Sequence, residues 1–398
     1  MKRGTYYLIA GVTALLVLAA FFLVQSAWFS SPVEGELRVG FIYENDESTP
    51  YTYNFALAQR VLESEYPDQV KVYSCSNVLA DEAEEPLLDL IRKGCQLIFT
   101  NSDSDQVRAV AAQYPEVQFC QESYADTADQ EIIDNYHTFN AKIFQGRYVS
   151  GIAAGMKIRQ LLDEGALDPD QALVGFVASY PDTEALSACT AFLLGVRSVA
   201  PESRMLVKFT RMGSSYTHEK AAAKALIEKG CLVISQHTHT IGPAVACEEA
   251  AAEKSVYHVG CEQSMMDVAP TAALISTRIN WAPYVLQAAQ AVMRGRPIEN
   301  AVDGETHGND VSAGFERGWV EMLDLNTLVA AEGTQEKIAQ AIDQFKKGNI
   351  EVFRGDYLGE DLDDPQKTYD LRQGYAENKY SSYPTYRYVL RDVITVVD

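Results

Sequence analysis

Apolar and polar positions along this chain repeat at long range. The stretch Leu226-Ile-Glu-Lys-Gly-Cys-Leu-Val-Ile-Ser-Gln-His-Thr-His-Thr240 has a near copy at Leu90-Ile-Arg-Lys-Gly-Cys-Gln-Leu-Ile-Phe-Thr-Asn-Ser-Asp-Ser104. Each copy reads as the end of an amphipathic helix, a Lys-Gly stop at which Gly94 or Gly230 takes the left-handed conformation, and a short apolar strand that empties into polar residues. Two further pairs follow the same plan: Leu37–Tyr43 with Leu173–Ser179, and Glu116–Ser123 with Val256–Ser264. Gly40 and Gly175 stand 135 positions apart, Gly94 and Gly230 136, and Ser123 and Ser264 141. So long and steady an offset implies two similar lobes rather than a solenoid. Two lobes enclose a cleft.

Between the repeated strands the spacing of apolar residues turns helical. Phe55–Tyr66 predicts a helix with Asn54 at its N-cap, and Glu85–Lys93, Val107–Gln113, Glu184–Val199, Glu219–Lys229, Ala244–Glu253, Ala282–Arg294 and Thr334–Lys347 predict others. Strands are expected at 70–75, 117–120, 205–209, 256–259, 274–276, 314–323 (as a pair) and 350–353. The segment Tyr136–Met156 is read as containing a helix that opens the second lobe, with Gly151, Ala153, Ala154 and Gly155 small enough for close packing. Alternating strands and helices argue for parallel sheets covered on both faces, with ligands outside the carboxyl ends of the strands. The tail at 355–398 differs in composition and is expected to pack on the body.

Composition narrows the class. An apolar content of 47% with 22% charged residues is that of a globular chain. The net charge of −22 disfavours phosphate backbones and anionic lipid, so no nucleic-acid partner is expected. Lys2 and Arg3 precede an uncharged apolar run from Tyr6 to Val24, and Glu34 is the next charged residue. This is the pattern of an export signal retained as an anchor or cleaved near Ser26, placing the body outside the cytoplasm. The seven cysteines show no Cys-x-x-Cys spacing, which disfavours a thiolate metal site, and their odd number leaves at least one thiol free. No phosphate-binding glycine loop, nucleophile elbow or helical His-Glu-x-x-His occurs, so neither a cofactor nor an enzyme is indicated.

Tyr148–Gly155, Gly175-Phe-Val-Ala-Ser-Tyr-Pro181, Ala191–Arg197, Gln236-His-Thr238 and Asn280-Trp-Ala-Pro-Tyr284 together resemble the basic membrane protein family of ABC-transporter substrate-binding proteins. The likeness runs from about Leu37 to Phe353. It implies a type I periplasmic-binding-protein fold, an α/β architecture of two Rossmann-like lobes joined by three crossovers and closing on a purine. By that plan residues 1–33 are the leader, 34–130 and about 265–298 the first lobe, 131–264 and about 299–354 the second, and 355–398 a tyrosine-rich extension.

The same resemblance assigns roles. Tyr53 and Asn54 stand where the family has a Phe-Asn pair whose aromatic stacks on the base. Glu122 and Tyr124 lie in a strand-end segment that contacts the base, and Tyr180 lies in Gly175–Pro181, one of the segments that carry the resemblance. Tyr216 adjoins the site of a second stacking aromatic, occupied here by Ser215. His239 replaces an acid in a His-Thr-Asp pattern that His237 opens. Glu262 keeps the first acid of Gly-x-Asp-x-Asp, whereas Ser264 replaces the second, the one expected to hold ribose hydroxyls. An unpaired buried polar group costs roughly 1–3 kcal/mol, so the substitution points toward a nucleobase or another small ring rather than a nucleoside. Trp281 either borders the cleft or plugs the core. His237 and His239 lack the further ligands a zinc site needs, so no metal is expected.

The expected function is extracytoplasmic capture of a purine-like small molecule, a nucleobase or nucleoside, for delivery to an ABC permease and its ATPase, with the membrane reached through the N-terminal segment. Two alternatives compete: a membrane-tethered ligand-sensing ectodomain, and a nucleosidase or glycosidase using Glu122 and Glu262 as its carboxylate pair.

Overall fold

The computed structural model describes residues 35–398; the expected leader at 1–33 lies outside the described residues. Strand β1 (Leu37–Ile42), helix α1 (Pro50–Glu65), β2 (Val70–Cys75), α2 (Glu84–Arg92), β3 (Leu97–Thr100), α3 (Asp105–Ala111), β4 (Gln118–Glu122) and β5 (Tyr136–Ala141) build the first lobe. Helix α4 (Ile143–Asp163) then carries the chain across. The second lobe follows as β6 (Leu173–Ala178), α5 (Thr183–Arg197), β7 (Arg204–Phe209), α6 (Tyr216–Glu228), β8 (Val233–His237), α7 (Gly242–Ala251), β9 (Tyr257–Cys261) and β10 (Ala273–Ile279). Helix α8 (Ala282–Met293) returns to pack on α1. Strands β11 (Glu305–His307) and β12 (Asp310–Ala313) complete the first sheet, β13 (Val320–Met322) joins the second, and α9 (Thr334–Lys346) packs on α4. The tail forms β14 (Leu358–Asp361), β15 (Thr368–Asp370), β16 (Tyr388–Leu390) and β17 (Ile394–Val396).

Both seven-stranded sheets repeat one plan. The first has the order β11-β12-β5-β4-β3-β1-β2 and the second β13-β10-β9-β8-β6-β7-β17, parallel throughout except at β11 and β13. In each the chain reverses direction beside its opening strand, between β1 and β3 or β6 and β8, which is where such sheets bind ligands. The duplication is visible in single contacts. A Cβ added to Gly40 would come within 2.6 Å of Leu90, and one added to Gly175 within 3.2 Å of Leu226, the repeat-equivalent leucine. Gly94 and Gly230 have φ of 80° and 95°. That conformation lets each helix stop within one residue and turn straight into its strand.

The lobe divisions differ from expectation in strand membership. β5 belongs to the first sheet, β10 to the second and β11–β12 to the first, so the chain crosses after Ala141, after Ile279 and after Ala313. All the residues of β5 are buried. Burial on both faces removes the apolar–polar alternation that marks a strand, which is why 136–141 carries no strand signal in the sequence. Helix α1 begins at Pro50 rather than after Asn54, because proline at the first helical position has its φ preset and no N–H to lose. Ile350–Phe353 forms no strand; Phe353 is instead buried, stacked on Tyr386 of the tail at 4.3 Å.

Trp281 is fully buried in the first lobe, 5.3 Å from Phe139 and 5.8 Å from Phe55, while Phe139 stacks on Tyr284 at 3.9 Å. It plugs the core and does not border the cleft. Against α5, α4 comes so close that a Cβ on Gly151 would collide with the carbonyl oxygen of Phe192. All seven cysteines are free thiols.

Candidate ligand-binding cleft

The two sheets direct their strand ends at one cavity of about 540 Å³. β1 delivers Glu44, β3 Asn101 and Asp103, and β4 Glu122, Ser123 and Tyr124. From the opposite lobe β6 delivers Ser179, Tyr180 and Asp182, β8 His237, Thr238 and His239, and β9 Cys261 and Glu262. Tyr51, in the first turn of α1, and Glu184, in the first turn of α5, add to the walls, as does Tyr383 of the tail. Among the described residues no lysine or arginine lines the cavity, while the carboxylates of Glu44, Asp103, Glu122, Asp182, Glu184 and Glu262 do.

The surroundings push these carboxylates in different directions. Burial raises the pKa of Glu122 well above the usual carboxylate range; a hydrogen bond from Tyr51 opposes this, and the nearby Glu184 and Glu262 add to it. Glu262 is also raised, by burial, against the pull of Arg147, the Ile279 N–H and Asn54. Glu184 is lowered: burial acts against ionisation, but its hydrogen bond to His237 and the charges of His237, His239 and Arg147 outweigh it. Burial disfavours the imidazolium of His237, yet hydrogen bonds to Cys261 and Glu184 raise its pKa. His239 is pushed down by burial and by His237 beside it. The cleft therefore sets Glu122 of the first lobe and Glu262 of the second, whose carboxyl groups burial pushes toward the protonated form, beside Glu184, which its neighbours push toward the ionised form 3.5 Å from His237.

Behind this pair lies Arg147 of α4, fully buried. It donates to the Gln236 carbonyl at 2.9 Å, to His237 Nδ1 at 3.0 Å and to the Cys261 sulfur. With Nδ1 accepting from Arg147 the ring is the neutral tautomer whose Nε2–H faces Glu184 at 3.5 Å.

Of the residues expected from sequence, the structure brings Glu122, Tyr124, Tyr180, His237, His239 and Glu262 around the cavity. Asn54 is buried beside it, its amide donating to both the main-chain and side-chain oxygens of Glu262. The expected stacking pair is not formed. Tyr53 is 41% exposed under Arg60, whose guanidinium lies 5.4 Å from its ring, and Tyr216 is 43% exposed beside Lys220. Starting α1 at Pro50 turns position 53 to solvent and position 51 inward. Tyr216 begins α6 behind Ser215, whose hydroxyl caps that helix. Ser264 is exposed and outside the cavity, its hydroxyl accepting from the Met266 N–H at 3.4 Å.

Tyr51, Arg147, Glu184 and Tyr383 were missed. Pro50 was the available signal for Tyr51, since it marks a first turn. Asp182, an N-cap three residues before a buried alanine, signalled the helix start that carries Glu184. Arg147, amid small and apolar residues, was a charge without a visible partner. Nothing local marked Tyr383.

A cavity built from matching strand ends of two duplicated α/β lobes defines a solute-binding protein of the type I periplasmic-binding-protein fold. Residues 45–352 match the Bmp family, ABC transporter substrate-binding protein PnrA-like, and the chain belongs to that family. It is 28% identical over 327 residues to a purine-binding protein of Brucella abortus, covering 81% of this chain and 84% of that one. It is 24% identical over 336 residues to a Haloferax volcanii protein named as an ABC transporter glucose-binding protein, covering 83% and 78%. Among solved structures, an ABC transporter solute-binding protein from Conexibacter woesei shares the fold, with a TM-score of 0.60 at 16% identity over 79% of this chain and 97% of that one.

Proposed function

We propose that this protein captures a purine base between its lobes outside the cytoplasm, attached through its N-terminal segment or released from it, and hands the base to an ABC permease driven by its ATPase. The observation that carries this reading is the convergence, in one cavity, of tyrosine rings with carboxyl groups whose surroundings push their pKa in opposite directions. A purine presents two flat faces and an edge that alternates N–H donors with ring-nitrogen acceptors. Tyr51 and Tyr180 supply aromatic surface, Glu122, which burial pushes toward the protonated form, can offer an O–H to a ring nitrogen, and Glu184, pushed the other way, can accept an N–H. Kinship with the purine-binding protein of Brucella abortus supports the ligand class. Bridging both lobes, the base shifts the hinge equilibrium toward the closed form that a permease recognises, and no bond is made or broken.

The test is a thermal-shift and calorimetric screen of the chain from about residue 33 against nucleobases, nucleosides and monosaccharides. Purine bases at about 100 times Kd stabilise the protein by about 2.7 kcal/mol, with nucleosides weaker and glucose silent. A response to glucose with none to any purine overturns the reading.

A further inference from the structure

We infer that the C-terminal extension is a built wall of the ligand cleft and that Tyr383 is its specificity-determining residue. This deepens the purine reading and rests on it for the ligand class. Tyr383 lines the cavity although it lies beyond the residues that match the family.

The extension is held from both sides, so the position of Tyr383 is not that of a loose end. On the second lobe β17 extends the sheet beside β7, and Tyr386 is buried against Phe353. Glu377 clamps the turn after Tyr383 by accepting from the Thr385 N–H at 3.1 Å and the Tyr386 N–H at 3.0 Å. On the first lobe the Ser382 N–H donates to the Asp310 carboxylate, and His307 meets the Asn378 carbonyl at 3.2 Å. Residue 383 thus follows directly on a bond to the first lobe and precedes the anchor in the second.

Its surroundings fix its chemistry. Tyr383 is half-buried, and burial, then the Glu184 charge, push its phenol up to about 12, with Asp182 and Asp103 adding from the two walls and the Thr183 hydroxyl opposing. It therefore stays a neutral O–H donor at ordinary working pH, and its ring adds aromatic surface to the cavity wall. In a cavity otherwise rich in carboxylates, this combination favours an aromatic heterocycle carrying an acceptor atom over an anionic or purely aliphatic solute.

The experiment compares wild type, Tyr383→Ala, Tyr383→Phe and Tyr380→Ala, each checked for folding by its melt, in calorimetric titrations with adenine, hypoxanthine, guanine and glucose. Tyr380, 65% exposed in the same segment, controls for disturbance of the tail. The expected result is a loss of at least tenfold in purine affinity for Tyr383→Ala, with Tyr380→Ala unchanged. Tyr383→Phe should change the order of preference among the three purines, since only the hydroxyl is lost. Equal affinity in wild type and Tyr383→Ala overturns the inference. Wild type that binds glucose and no purine overturns the purine reading instead, and the same Tyr383→Ala comparison on glucose then decides whether the tail walls the site.

Discussion

Asn54 donates through one amide nitrogen to both the main-chain oxygen of Glu262, at 2.8 Å, and its carboxylate, at 2.7 Å, joining residues 208 positions apart. Glu262 itself has φ of 66°, a left-handed conformation that a glutamate rarely holds unaided. Asn54 and the Ile279 N–H, which also meets this carboxylate, hold it in place at the hinge end of the cleft. A hydrogen bond contributes about 0.5–1.5 kcal/mol net, and Asn54 makes two to Glu262. Replacing Asn54 with Ala is expected to weaken ligand binding by about tenfold or more. Calorimetry on the folded variant reads this; an unaltered Kd would show that Glu262 is positioned without Asn54.

Tyr51 and Tyr53 are two residues apart on one helix and face opposite surroundings. Tyr51 lines the cavity and donates to Glu122, while Tyr53 sits in solvent under Arg60. Tyr51→Ala should lose at least tenfold in affinity, whereas Tyr53→Ala should stay within about twofold of wild type, as surface substitutions do. The reverse ranking in a titration would place the helix in another rotation.

Glu122 gives the protein a pH signature. Its folded pKa is raised, first by burial, so the folded chain binds a proton that the unfolded chain releases above about pH 4.3. Below that pH the group is neutral in both states and exacts nothing. As pH rises toward the folded value, stability falls by up to about 1.4 kcal/mol per unit from this group. Glu122→Gln removes the titration while keeping a partner for Tyr51. The variant's stability advantage over wild type, followed by urea denaturation, should widen from near zero at pH 4 to about 1 kcal/mol or more at pH 7. A gap that does not change with pH contradicts this assignment.

Gly151 sets the spacing of α4 on α5. A Cβ there would collide with main-chain atoms of Phe192, which no rotamer change relieves. Gly151→Ala should therefore destabilise the fold by about 1–3 kcal/mol, as overpacking does, despite alanine's better helix propensity. Because α4 also carries Arg147 to His237 and Cys261, ligand affinity should fall as well. Equilibrium unfolding and titration of the same variant test both. Stability equal to or above wild type would mean the two helices have room to part.

By itself the sequence determined the duplication, the class of fold and the strand ends where ligand chemistry gathers. Those features are local: a Lys-Gly stop, a short apolar strand and the polar residues after it obey backbone rules that act over a few positions, so Gly94 and Gly230 behave as read, and Glu122, His237 and Glu262 sit where their strands end. The rotation of α1 was legible only in part, since Pro50 decided it and Tyr53 was the more conspicuous aromatic. Tertiary structure alone decided the rest. β5 is buried on both faces and shows no alternation, so only its neighbours β4 and β12 define it. Arg147 acquires meaning from Gln236, His237 and Cys261, each brought to it from about 90 to 114 positions away. Tyr383 reaches the cleft because β17 pairs with β7 and Ser382 bonds Asp310. Contacts between distant segments depend on how whole lobes pack, and no pattern within a short window encodes them.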